Sequence, residues 1–492
     1  MDEKEWRTIS TPTSVSQTET INKTPIVAVL LAGAFVAILN QTLLNTAIPK
    51  IMADLSISAS QAQWLTTVFM LTNGVMIPVT AFLIERFTTR RLFLTAMSLF
   101  AVGTLIAALA PSFSYLLLAR IVQASGAGIL IPLMQTVFLT IFPREKRGAA
   151  MGMVGLVIAF APAIGPTLSG WLVQTYSWRV LFYVVLPIAI IDIIVAFFVM
   201  KNVTRLTYPK VDVFSIILSS FGFGGLLYGF SSAGQSGWGS EKVLISLAIG
   251  AVALLIFIFR QLKLARPILE FRVFKYGVFT LATATGMIVF MTMISGELLL
   301  PIYMQNMRGY SPLESGLLLL PGAVLMGVMS PISGKLFDKI GARWLAVAGL
   351  AIIAAATYGF TNLTADTSFT YLIIVYAIRM FGMALVMMPI TTEGLNALPN
   401  RLIPHGTAMN NTMRQVAASI GTALLVTVMT NTTKDRIQEL ASGSTDGLDR
   451  AEKLHAAIHG LNVSFFVAVG FAVVGLVLSF FIRRGEIAEE DR

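Results

Sequence analysis

The stretch Ala81-Phe82-Leu83-Ile84-Glu85-Arg86-Phe87-Thr88-Thr89-Arg90-Arg91 has a second copy in the same chain, Gly334-Lys335-Leu336-Phe337-Asp338-Lys339-Ile340-Gly341-Ala342-Arg343-Trp344. At one offset of 253, Leu83 falls on Leu336, Glu85 on Asp338, Arg86 on Lys339 and Arg90 on Arg343. Each copy is a short acid-plus-base turn between two strongly apolar segments. Two such turns at matching places make the chain an internal duplication.

The surroundings of these turns decide the solvent. The chain has 492 residues, 56% of them hydrophobic and 12% charged, with a mean hydropathy of +0.79. Soluble domains carry about 25% charged residues, so a set of soluble domains is excluded. The charges cluster between apolar runs of about 20 residues, the length that crosses a bilayer as a helix. Helix is the natural choice because each unpaired backbone group in lipid costs several kcal/mol. In a membrane protein, duplicated halves point to a transporter that rocks one half against the other. With no cysteine, disulfides, thiol catalysis and Cys-ligated metals are excluded. Residues 1–24 are polar and lack the apolar core of a signal peptide. The net charge of +10 is read as topology and not as nucleic-acid binding, since the positive charges flank membrane segments.

Working outward from the two turns, the hydropathy pattern predicts fourteen spans. They lie near 26–48, 61–84, 92–110, 114–141, 148–174, 178–200, 213–231, 241–260, 277–304, 312–333, 344–363, 368–393, 406–430 and 459–482. Most Lys and Arg fall on one side: Arg86, Arg90 and Arg91; Arg144, Lys146 and Arg147; Lys201, Arg205 and Lys210; Arg260, Lys263, Arg266, Arg272 and Lys275. That asymmetry places both termini in the cytoplasm. The expected architecture is an all-α membrane protein of 14 transmembrane helices. A cytoplasmic tail (1–25) precedes a six-helix bundle (26–200). A linker with two extra transmembrane helices (201–275) then leads to a second six-helix bundle (276–482) and a cytoplasmic tail (483–492). The second bundle carries an outer loop, 431–458, whose charges (Asp435, Arg436, Glu439, Asp449, Arg450, Glu452, Lys453) fit a helical hairpin or a solvated connector.

Several stretches resemble a known family. Residues 26–482 look like the fourteen-helix drug/proton antiporters of the major facilitator superfamily, most like the lincomycin-resistance type of multidrug exporter. The turn at 81–91 resembles that family's Gly-x-Leu-x-Asp-Arg-x-Gly-Arg-Arg pattern. The first copy departs from it at Ala81, Glu85, Thr88 and Thr89, while the second keeps Gly334, Asp338 and Gly341. A carboxylate beside basic groups at a helix end can latch neighbouring helices. The expected inner latch is Glu85, Arg86, Arg90, Arg91, Asp338, Lys339 and Arg343, with topology alone as the other reading of these charges. Leu118-Ala119-Arg120-Ile121-Val122-Gln123-Ala124-Ser125-Gly126 resembles the family's Arg-x-x-x-Gln/Gly-Gly pattern of proton coupling. Arg379, near Gly382, stands at the related place of the second half. Gly148, Gly152, Gly155, Pro162, Gly165, Pro166 and Gly170 resemble the antiporter signature of exporters. Small residues at helical spacing let a partner helix approach, and the prolines remove backbone donors. Trp178-Arg179 resembles a further marker, read as an anchor at the outer interface.

The resemblance also suggests the site. Leu39-Asn40-Gln41-Thr42 resembles a motif in which an aspartate often stands where this chain has Asn40. Asn40 cannot carry a proton, so the carrier must lie elsewhere. Two acidic residues lie well within predicted spans, Asp192 and Glu297. The resemblance puts span 9 beside the transport path, so Glu297 is the expected proton carrier and Asp192 the reserve. Arg120, if it faces Glu297 across the cavity, would favour the charged carboxylate. The expected substrate cavity holds Asn40, Gln41, Gln123, Arg379, Met383 and Met387, methionine being common on promiscuous apolar surfaces. No phosphate-binding loop of the Walker type and no metal-ligand spacing of histidines is present. The expectation is a proton-driven exporter of drugs or lipophilic metabolites, without cofactor, working as a monomer in the bacterial inner membrane. Export of one endogenous metabolite, lipid or bile-salt-like compound is the alternative, as is a receptor or scaffold without turnover.

Overall fold

The computed structural model describes residues 22–204, 206–442 and 449–483. Most of the two expected tails, Arg205 and residues 443–448 of the expected outer loop lie outside the described residues. The described chain is helical. Its helices are α1 (Lys23–Leu55), α2 (Ala59–Arg86), α3 (Thr89–Ala108), α4 (Phe113–Ile141), α5 (Arg147–Thr175), α6 (Val180–Val199) and α7 (Val213–Ser236). After these come α8 (Glu241–Lys263), α9 (Gly277–Ile302), α10 (Pro312–Ile340), α11 (Ala342–Tyr358), α12 (Phe369–Asn396), α13 (Ile403–Ser442) and α14 (Arg450–Ser479). Thirteen of them are long and apolar enough to cross a membrane. The remaining one, α11, is an apolar helix of 17 residues.

Local chemistry sets the breaks. Ser58, Ser311 and Asp449 open α2, α10 and α14 with reciprocal caps from Gln61, Glu314 and Glu452. The two basic turns solve one geometric problem in different ways. Gly341 closes α10 with φ +79°, a backbone state open to glycine. Its counterpart Thr88 keeps an extended backbone and caps α3 by accepting from the Arg91 N–H. The first copy can therefore depart from the glycine pattern without losing its turn. Pro162 and Pro166 lie within one continuous α5.

Helices α1–α6 and α9–α14 form two corresponding sets. In each, the third and fourth helices pack as a close pair, α3 on α4 and α11 on α12. The broadest contact between the sets is α5 on α10. The α7–α8 hairpin lies on the far side, where α7 touches both α2 and α13 and covers their seam. Trp64 stacks on Tyr228 at 5.7 Å, and the Trp238 indole donates to Thr427 Oγ1 at 2.8 Å. The hairpin itself closes tightly, since a Cβ on Gly225 would lie 2.9 Å from Gly250 Cα. Helix α13 has 40 residues, about 60 Å at 1.5 Å per residue, twice the thickness of a hydrocarbon core. Its last turns and the start of α14 therefore form two helical arms, so the 431–458 segment is helical on both sides of its undescribed tip.

Candidate functional site

The basic turns work through their carboxylates. Asp338 on α10 accepts from the backbone N–H of Gly148 at 2.8 Å and of Ala149 at 3.0 Å, at the start of α5. Glu85 on α2 meets His405 Nε2 at 3.1 Å, at the start of α13. Each acid thus reaches from one set into the other. A carboxylate at a helix start satisfies unpaired N–H groups and meets the positive end of the helix dipole. The same end is drawn together by Arg147, which donates to Asn396 Oδ1 at 3.0 Å and Asn400 Oδ1 at 3.3 Å. Thr136 and Thr407 hydroxyls lie 2.8 Å apart across the same seam.

The basic members of the expected latch take other partners. Arg86 donates to the Pro209 carbonyl at 2.7 Å. Arg90 donates to the Phe197 carbonyl and lies over the Phe197 ring. Arg343 lies over its neighbour Trp344 at 5.3 Å. Arg91 and Lys339 are exposed. Arg86 and Arg90 thus tie α2 and α3 to the linker and to α6, and Arg343 packs on its own neighbour, because these long side chains reach nearby carbonyls and rings before they reach the opposite set. Sequence reasoning missed His405. The usable signal was the run His405-Gly406-Thr407-Ala408-Met409 at the start of α13, which matches Arg147-Gly148-Ala149-Ala150-Met151 at the start of α5 and puts His405 where Arg147 stands.

Beyond this closed end, a cavity of about 360 Å³ lies between α1 and α5 on one side and α9, α10 and α12 on the other. Thr42, Pro162 and Pro166 line it from the first set, and Glu297, Tyr376 and Met380 from the second. Among the described lining residues Glu297 is the only carboxylate, and there is no Lys or Arg. Pro49 and Pro312 at its edge mark the end of the molecule opposite the basic turns.

Several expected cavity residues lie elsewhere. Asn40 is buried and absent from the described lining, whereas Thr42, half a turn on, faces the cavity. Gln41 and Met383 are likewise not among that lining, and Met383 is fully buried. Met387 faces a small cleft with Phe290 and Arg414. Gln123 is bound inside the first set, where it accepts from Arg120 at 3.0 Å and donates to Thr104 Oγ1 at 2.9 Å.

Arg120 does not face Glu297. It donates to the Leu65 carbonyl and lies 4.1 Å over the Phe69 ring, buried among the first-set helices. The cation beside Glu297 is Arg379. Its guanidinium donates to the Thr292 carbonyl, to Ser295 Oγ at 3.1 Å and to Thr357 Oγ1 at 3.2 Å. It packs so closely on α9 that a Cβ at Gly296 would lie 2.2 Å from Nη1. Gly296 is therefore what lets Arg379 reach the backbone next to Glu297. Asp192 is buried against Gly33, Phe93 and Met97, and its Oδ2 has no hydrogen-bond partner among the described residues.

In α5, the glycines divide between two neighbours. Cβ atoms at Gly148, Gly152 and Gly155 would each strike α10: Gly334 O at 2.4 Å, Ser330 O at 2.6 Å and Ser330 Oγ at 2.9 Å. These make the contact between sets. Gly165 instead meets Thr42 Oγ1 of α1, within its own set, because it faces a different side of the helix. Gly170 has only ordinary contact with Leu313. Trp178 is buried, and its indole donates to Asp54 Oδ2 at 2.8 Å. Arg179 donates to the same oxygen at 2.8 Å.

Residues 30–422 match the family model described as Major Facilitator Superfamily. The MFS-type transporter YcnB of Bacillus subtilis (strain 168) is 58% identical over 480 residues, covering 98% of this chain and 99% of that protein. Lincomycin resistance protein LmrB of Listeria monocytogenes is 42% identical over 466 residues, covering 95% and 98%. The crystal structure of the human organic anion transporter MFSD10 (TETRAN) superposes with a TM-score of 0.62 over 93% of this chain and 99% of that one. At 12% identity, that likeness concerns the fold alone.

Proposed function

The chain belongs to the Major Facilitator Superfamily, a family of transporters and not of enzymes, and on that premise we propose that it is a proton-coupled exporter of amphiphilic or lipophilic compounds. The observation that carries this reading is the cavity between the two sets, apolar for most of its wall and holding one carboxylate, Glu297. Such a wall accepts lipophilic bodies of varied shape, and a single acid favours a cation or a proton. Similarity to lincomycin resistance and multidrug export proteins supports drugs as the substrate class.

In this reading α1–α6 and α9–α14 are the two six-helix bundles, α11 is the fourteenth span, and α7–α8 is the inserted hairpin. The basic turns face the cytoplasm and the α13–α14 arms face outside, in a bacterial cell membrane. The conformation is then closed inside, with the cavity toward the outer end. Glu297 takes up a proton there and releases it when the inner end opens. Arg379 stands close enough to favour the charged carboxylate, and a cationic drug acts in the same sense. Drug and proton thereby exclude each other at one site. Asp192 is the reserve carrier, with Arg120 as a buried support of the first bundle.

Ethidium accumulation in cells with and without the protein tests this function. The expected result is lower accumulation with the protein, abolished by a proton uncoupler. Equal accumulation across a panel of lipophilic cations and neutral drugs would remove the multidrug reading and favour a dedicated metabolite substrate.

A further inference from the structure

A second cavity, of about 520 Å³, lies at the end of the molecule opposite the basic turns. Its walls are the π-helical turn Tyr303–Met307 that follows α9 and the two projecting arms of α13 and α14. Its size is within the range of small-molecule sites. The lining has two characters. Ile302, Met429 and Leu454 are apolar, and Lys434, Arg450 and Lys453 are cationic. Helix α13 runs outward from Met429 to Lys434, and α14 runs back from Arg450 to Leu454. Both arms therefore put their cations at the same outer end, with apolar side chains toward the bilayer.

Two further observations separate this pocket from an ordinary charged surface. No carboxylate is among the described residues that line it, and none of the three cations has an ion pair or hydrogen bond among the described residues. Of the neighbouring charges, Arg436 pairs with Glu439 at 2.5 Å, and Glu452 accepts from the Asp449 backbone N–H. Three cations that line one pocket, none of them paired among the described residues, repel one another until an anion joins them. The π turn also divides the two cavities, as Gln305 lines the Glu297 cavity while Asn306 and Met307 line this one. Single π turns are frequent at functional sites.

We propose that this pocket binds an anionic amphiphile. The head group lies on Lys434, Arg450 and Lys453, and the hydrocarbon chain lies on Ile302, Met429 and Leu454. The ligand is either an anionic lipid of the surrounding leaflet or a free amphiphile such as a fatty acid.

The test uses the full chain in phosphatidylcholine nanodiscs and a dansyl-labelled undecanoate as probe. Saturable binding is expected, weakened by salt. Affinity should fall about tenfold or more in the Lys434→Gln, Arg450→Gln, Lys453→Gln triple variant, as expected for exposed charge contacts. Lys434→Arg with Lys453→Arg should retain binding. Met429→Trp, which fills the pocket without changing charge, should abolish it. Glu297→Gln, in the other cavity, should leave probe binding unchanged. Displacement of the probe by phosphatidylglycerol in the nanodisc identifies a lipid as the occupant, and its persistence identifies the free amphiphile. Absence of saturable binding, or equal binding by the triple Gln variant at unchanged thermal stability, would overturn the site. Binding unaffected by Met429→Trp would reduce it to diffuse surface charge and overturn it equally.

Discussion

Glu85 and Asp338 stand at the same place in the two copies of the basic turn, and each closes on the start of the fifth helix of the opposite set. Asp338 takes the backbone N–H groups of Gly148 and Ala149, while Glu85 takes the His405 imidazole. The duplication is therefore visible as a crossed pair of contacts between the two sets.

Asp338→Ala removes two hydrogen bonds to a charged acceptor, each worth about 1.5–3 kcal/mol. The closed form should lose at least about tenfold in population, since 1.4 kcal/mol is a factor of ten. Cysteines placed at Thr136 and Thr407, whose hydroxyls touch at 2.8 Å, report this as a fall in disulfide yield. Glu85→Ala should do the same less strongly, as it loses one contact to His405. Unchanged yield in both variants would leave these acids with no latching role.

Glu297→Gln keeps size and hydrogen bonding but cannot titrate. It should abolish uphill export in proteoliposomes with an imposed proton gradient while sparing part of the drug binding. Glu297→Asp should retain partial activity, and Asp192→Asn should matter less. If the Gln protein still pumps uphill, Asp192 becomes the carrier to test.

Gly152→Val and Gly165→Leu should fail in different ways. A side chain at 152 meets Ser330 O and Pro331 Cα, which are backbone and cannot yield cheaply. The two sets should then stay apart at this end, which lowers Thr136–Thr407 cross-linking and transport together. At 165 the clash is with Thr42 of the same set, and overpacking of that kind costs about 1–3 kcal/mol. The expected result there is a lower melting temperature in detergent with cross-linking retained.

Asp54, beyond the apolar part of α1, is held below the ordinary aspartate range by hydrogen bonds from Arg179 and Trp178. A depressed folded-state pKa means that the contribution is present above the ordinary value and lost as pH falls through the folded one. Asp54→Ala should destabilise the neutral-pH protein by about 1–3 kcal/mol, the cost of leaving the Trp178 N–H unsatisfied. Wild type and variant should converge in thermal stability as the pH falls below the usual aspartate range. A constant difference at all pH values would show that packing alone is lost.

Impermeant thiol labelling in intact cells checks the orientation. A cysteine at position 434 should react and one at position 339 should not, since the basic turns are assigned to the cytoplasm. The reverse pattern inverts the topology.

The residue order alone determined that this chain is a bundle of membrane helices. Apolar runs of bilayer length leave no other way to satisfy the backbone. It also made the duplication legible, because Glu85 and Asp338 sit in recognisable turns, and it marked Asp192 and Glu297, because intramembrane carboxylates are rare. Only the tertiary structure decided which residues these groups meet. Arg120 and Arg379 read alike along their helices, yet one lies on Phe69 and the other against Gly296. Gly152 and Gly165 belong to one run of small residues, yet they face α10 and α1 respectively. The spacing of residues sets which of them share a helix face. How each helix is turned toward its neighbours follows from packing all of them at once, and no single segment contains that information.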